Sequence, residues 1–62
     1  MNNRTLVQPT QVIQKLNWTF YYFKTEVDAQ AWETASTYRT QGVSLVSMGL
    51  YEVAEHYYDK KA

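Results

Sequence analysis

The chain has 62 residues, with six basic and six acidic side chains, one His, no Cys, one Pro and two Gly. That length accommodates one small domain and excludes fused catalytic and regulatory modules. The absence of Cys excludes disulfides and Cys-based zinc clusters, and a formal net charge of zero argues against nucleic acid held mainly by electrostatics.

A chain this small buries only about 60% of its unfolded surface. Extra stability must come from a partner, self-association or dense aromatic packing, and two Trp, six Tyr and two Phe suit all three. Charge is sorted along the chain. Arg4, Lys15 and Lys24 stand without an acid up to residue 25, whereas Glu26, Asp28, Glu33, Glu52, Glu55 and Asp59 face Arg39 alone up to residue 59. This sorting reads as solvated faces, with head-to-tail steering as the sharper alternative. No signal-peptide core is visible, since Gln8 and Pro9 follow Leu6 and Val7. No apolar run is long enough to span a bilayer. The expected compartment is the cytoplasm. Asn17-Trp18-Thr19 matches a glycosylation sequon by pattern only.

In chain order, 1–8 is polar and is expected to be a flexible N-terminus, with 9–62 forming a single small helical domain. Pro9 suits a first helical turn. Val12, Ile13, Leu16, Phe20, Phe23 and Val27 then recur mostly at spacings of three and four, predicting a helix over 9–27. Asn17–Phe23, rich in aromatics, reads equally as a strand with Thr19 opposite Trp18 and Phe20. The longer periodicity decides for the helix.

Asp28 is the expected cap of the next helix, over 28–48, in which Ala31, Trp32, Ala35, Tyr38, Gly42, Leu45 and Val46 share a face. Gly49 is expected to take the left-handed conformation that closes it. Leu50, Tyr51, Val53, Ala54, Tyr57 and Tyr58 make a further apolar face over 50–61, with Lys60 and Lys61 complementing the helix end. The two segments predict an antiparallel helical hairpin and an all-α fold. Gly42–Ser47, with its β-branched residues, is the segment that favours a strand instead.

Tyr38-x3-Gly42-x2-Leu45-x3-Gly49-x-Tyr51-x2-Ala54-x3-Tyr58 resembles one tetratricopeptide (TPR) repeat, a helix–turn–helix unit of about 34 residues. The resemblance implies a TPR-like hairpin whose faces need a neighbour. It also implies a ligand surface on the first helix, at Ser36, Arg39, Val43, Val46 and Ser47. Val43 and Val46 stand where family members clamp a terminal carboxylate with Asn and Lys, so an apolar contact is implied.

Catalytic chemistry has little to work with. His56 is the sole imidazole, and on a helix it would lie among Glu52, Glu55 and Asp59 as a solvated residue rather than as a base or metal ligand. Gly42 and Gly49 are isolated, so no phosphate loop is present. The expectation is a non-enzyme with no cofactor and no metal.

Trp32, Phe20, Phe23, Tyr51 and Tyr58 are the expected core aromatics. Trp18, Tyr21, Tyr22 and Tyr57 fall outside that stripe and, with Arg39, Val43 and Val46, are the expected partner-binding residues. The function expected is a protein–protein interaction module (adaptor, assembly factor or self-assembling protein) whose partner is another protein or a second copy, making it a homo-oligomer or part of an obligate complex. One alternative is a β-α-β stoichiometric inhibitor of a host enzyme, of the phage or mobile-element type, with strands at 17–23 and 43–48. The other is a single-stranded nucleic-acid binder, weakened by the scarcity of cations near the aromatics.

Overall fold

A computed structural model describes residues 7–61, and the remainder of the expected flexible segment lies outside them. Four strands and one helix follow in the order β1 (Gln11–Lys15), β2 (Trp18–Phe23), α1 (Glu26–Ala35), β3 (Tyr38–Leu45) and β4 (Tyr51–Lys60), with a short 3-10 turn at Ser47–Gly49 between the last two strands. The strands form one antiparallel sheet in the spatial order β1-β2-β4-β3. β2 and β3 both run against β4 and are therefore parallel to each other, joined by α1 as a crossover with β4 inserted between them.

Local chemistry explains the strands. Trp18–Phe23 is a run of aromatics with one Thr, residues that suit a pleated, half-buried surface. It pairs with β1 from Gln11↔Tyr22 to Lys15↔Trp18, leaving Leu16 and Asn17 as a two-residue turn. Thr25 starts α1, its Oγ1 accepting the Asp28 N–H at 3.2 Å. The cap thus lies three residues before the expected one, and Asp28 sits in the first turn. The helix stops at Ala35, because the Ser36 hydroxyl receives the Tyr38 N–H and donates back to the Tyr38 carbonyl, both at 3.1 Å. Such a local bond offers the backbone an alternative to the helix.

The core lies between α1 and one face of the sheet. Phe23, Ala29 and Val53 are fully buried and Val7 nearly so, with Tyr21, Ala31, Trp32, Val43 and Tyr51 packed around them. Trp32 reaches from α1 onto Tyr21 (ring centroids 4.7 Å) and Phe23 (5.6 Å).

The all-α expectation is overturned. The segment read as a 9–27 helix contains β1 and β2, the 28–48 helix ends at Ala35 and gives way to β3, and the 50–61 helix is β4. No TPR-like helical hairpin forms: both stretches carrying that pattern beyond Tyr38 are strands. The physical reason is that Tyr38, Thr40 and Val43 on one side, and Tyr51, Val53, Tyr57 and Tyr58 on the other, are strand formers. Their ladder satisfies the backbone that a weak helix would leave to propensity. The β-α-β alternative placed a strand at 17–23, where β2 lies. Its second strand runs over Tyr38–Leu45 rather than 43–48. Gly49 has the expected positive φ (+72°), but in the turn between two strands, beside Met48 at +68°.

Candidate functional site

Residues paired across antiparallel strands point to the same side of a sheet, and successive residues alternate. Thr19, Tyr21 and Phe23 of β2 therefore share the helix side with their partners Glu55, Val53 and Tyr51 of β4. Trp18, Phe20 and Tyr22 share the outer side with His56, Ala54 and Glu52. β1 extends that outer side with Lys15, Ile13 and Gln11, and β3 with Gln41 and Ser44. Among the described residues no second layer covers it, and the molecule is a slab 31 × 29 × 16 Å.

The outer side is organised around an apolar row, Ile13–Phe20–Ala54, running across three strands. On the side of the row nearer the β1–β2 turn, Trp18 meets His56 edge-on at 5.0 Å, and His56 meets Tyr58 at 5.3 Å and 88°. Tyr58 is 63% exposed, and its hydroxyl donates to Asn17 Oδ1 at 3.1 Å. His56 is held by the backbone: its Nδ1 accepts the Asp59 N–H at 2.9 Å. The imidazole thereby closes an irregular stretch in which β4 uses five steps, from Glu55 to Lys60, against two in β3, from Thr40 to Tyr38.

On the opposite side of the row, the Tyr22 hydroxyl donates to Glu52 Oε2 at 2.8 Å. That bond, then burial, then the carboxylate's negative charge hold the Tyr22 phenol above its ordinary pKa of 10.0. Ile13, Lys15, Phe20, Tyr22 and Glu52 line a shallow notch of about 140 Å³. Charge on this side is balanced. Lys15 and Arg39 are its cations and Glu52 and Asp59 its anions, with Arg39 bridged to Asp59 at 3.1 Å.

No known protein family, curated protein sequence or solved structure matches the chain. Among the described residues no three His, Asp or Glu side chains converge on a metal-sized space. His56 Nδ1 is already engaged by backbone, so this imidazole lacks the orienting carboxylate of a nucleophile–base pair. Flat aromatic area flanked by balanced charge suits binding.

The expected binding residues divide. Trp18 and Tyr22 lie on the outer side, and Arg39 joins them at its β3 edge. Tyr21 is a core residue against Trp32. Val43 packs beneath α1, and Val46 lies in the turn after β3, its N–H donating to the Leu50 carbonyl at 2.8 Å. Tyr57 is 54% exposed and donates its N–H to the Asn17 carbonyl. Of the expected core, Phe20 and Tyr58 belong to the outer surface instead, and Glu55, expected to be solvated, is buried on the helix side. Phe20, Ile13, Lys15 and Glu52 were missed as site residues. Their signal was present in the alternation Trp18, Phe20, Tyr22, which places three rings on one side of a strand.

Proposed function

We propose that this protein is a non-enzymatic protein-interaction module acting through the outer side of its sheet. The observation that carries the reading is the row of half-buried Ile13 and Phe20 and buried Ala54, flanked by Trp18, Tyr22, His56 and Tyr58, on a sheet side that no layer among the described residues covers. Aromatic rings bring large contact area at low entropic cost, which is why they anchor protein interfaces. Aromatics on an antiparallel sheet also stack unpaired bases. That use requires a positive groove for the phosphates, whereas here Arg39 is bridged to Asp59 and Lys15 shares its notch with the Glu52 carboxylate.

Affinity capture with the wild-type chain and with Phe20→Glu, from extract of the source cell, tests the reading. A polypeptide, foreign or the chain itself, retained near stoichiometrically by the wild type and lost with Phe20→Glu is the expected result. An identical captured set for both proteins overturns the proposal. So does salt-sensitive retention of a single-stranded oligonucleotide with no polypeptide retained.

A further inference from the structure

We infer that the occupant of the outer side is a second copy of this chain, seated face to face about a two-fold axis that sets Lys15 of each copy against Glu52 of the other. The inference deepens the interaction reading above and rests on it.

The register supplies the argument. Lys15 lies one strand to the β1 side of Phe20 and two residues toward the β1–β2 turn. Glu52 lies one strand to the β4 side of Phe20 and two residues toward the opposite end. The two charges are therefore related by inversion through Phe20 on the sheet. Both line the same notch, yet no ion pair joins them within the chain and neither has another ionic partner among the described residues. Tyr22 donates to one oxygen of the Glu52 carboxylate and so orients it.

A two-fold axis in the interface plane, passing over Phe20 and perpendicular to the Lys15–Glu52 diagonal, exchanges the two ends of that diagonal. Each operation makes two Lys–Glu pairs and stacks Phe20 on its own symmetry mate. Such an isologous contact requires self-complementary surface, and this diagonal has it. With strands about 4.8 Å apart and two residues spanning about 6.6 Å, the operation crosses the strands of the two sheets at about 70°, nearer the orthogonal than the aligned way for sheets to pack. Four strands by five residues give a footprint of about 300 Å² per copy before side-chain relief. Doubled, that is about 600 Å², below the roughly 1,000 Å² of stable specific interfaces, so the dimer is a weak one whose register and orientation are set by charge placement.

Sedimentation equilibrium of the full chain from about 10 µM to about 1 mM tests this, on wild type, Lys15→Glu, Glu52→Lys and the double reversal. The wild type is expected to show a monomer–dimer equilibrium. Each single reversal weakens it by about tenfold or more, and the double reversal restores it to within about threefold. Circular dichroism confirms that each variant keeps its sheet; Lys15→Gln and Glu52→Gln replace any reversal that does not fold, with a smaller weakening expected. A wild type monomeric throughout, or a double reversal no tighter than the singles, overturns the proposal. A foreign polypeptide captured through Phe20 by a monomeric wild type removes the dimer and leaves the interaction reading in place; a capture set indifferent to Phe20→Glu removes both.

Discussion

Phe20 and Phe23 are three positions apart in one strand and point to opposite sides of the sheet. Phe23 is fully buried between β2 and α1, against Trp32 at 5.6 Å. Phe23→Ala is expected to cost about 3–5 kcal/mol, a large part of the stability of so small a domain, and urea denaturation should find little folded protein. Phe20→Ala, on the side that no layer among the described residues covers, is expected to cost under about 2 kcal/mol and to leave the far-ultraviolet spectrum intact. Equal losses for the two would show that a layer covers Phe20. Tyr22 supplies a pH signature. Its phenol is raised in the folded chain by the Glu52 carboxylate, so the folded state holds that proton more tightly than the unfolded one. The associated stability is fully present below pH 10 and is lost as pH rises through the higher folded value. Ultraviolet titration of wild type against Tyr22→Phe should show that the missing phenol is one that ionises above pH 10. A missing component at or below that value removes the Tyr22–Glu52 bond from the account.

The β1–β2 hairpin carries an unusual choice. A two-residue turn with positive φ at its first central position normally employs glycine there, and this one has Leu16 at φ 53° with its side chain 94% exposed. The left-handed conformation costs a non-glycine residue roughly 1–2 kcal/mol, and Leu16 recovers nothing by packing. Leu16→Gly is therefore expected to stabilise the protein by up to about 1 kcal/mol, after the greater freedom of glycine in the unfolded chain is subtracted. Thermal denaturation reads it, and a lowered midpoint would mean that the Leu16 side chain makes a contact, in the chain or with a partner. The hairpin was also where sequence reading failed most instructively. Val12, Ile13, Leu16, Phe20 and Phe23 satisfy a three-and-four spacing by accident of a strand, a turn and a second strand. The aromatic density of Trp18–Phe23, a local signal, was the better guide. Ala31 and Trp32 did mark a helix, and its end was hidden because Ser36 closes it by a side-chain bond rather than by a glycine.

Across the molecule, the parts legible in sequence were those set by neighbouring residues: one helix around Ala31 and Trp32, and the positive φ of Gly49, though in a turn between strands rather than at a helix end. The site as a whole was illegible because it is assembled by register. Ile13, Phe20 and Ala54 become one row only when β1, β2 and β4 are laid side by side, and Lys15 and Glu52 acquire their relation through the same pairing. No spacing along the chain encodes that. Arg39 and Asp59, 20 positions apart, meet for the same reason.

The sheet order β1-β2-β4-β3 has a consequence for how the protein is made. On the ribosome β2 and β3 both emerge before β4, the strand that lies between them and supplies hydrogen-bonding partners to each. Until β4 leaves the exit tunnel, the hairpin, the helix and β3 have no common sheet to join, and two strand edges stand open to other nascent chains. Completion of the sheet thus waits on Tyr51–Lys60, the one strand paired with both halves.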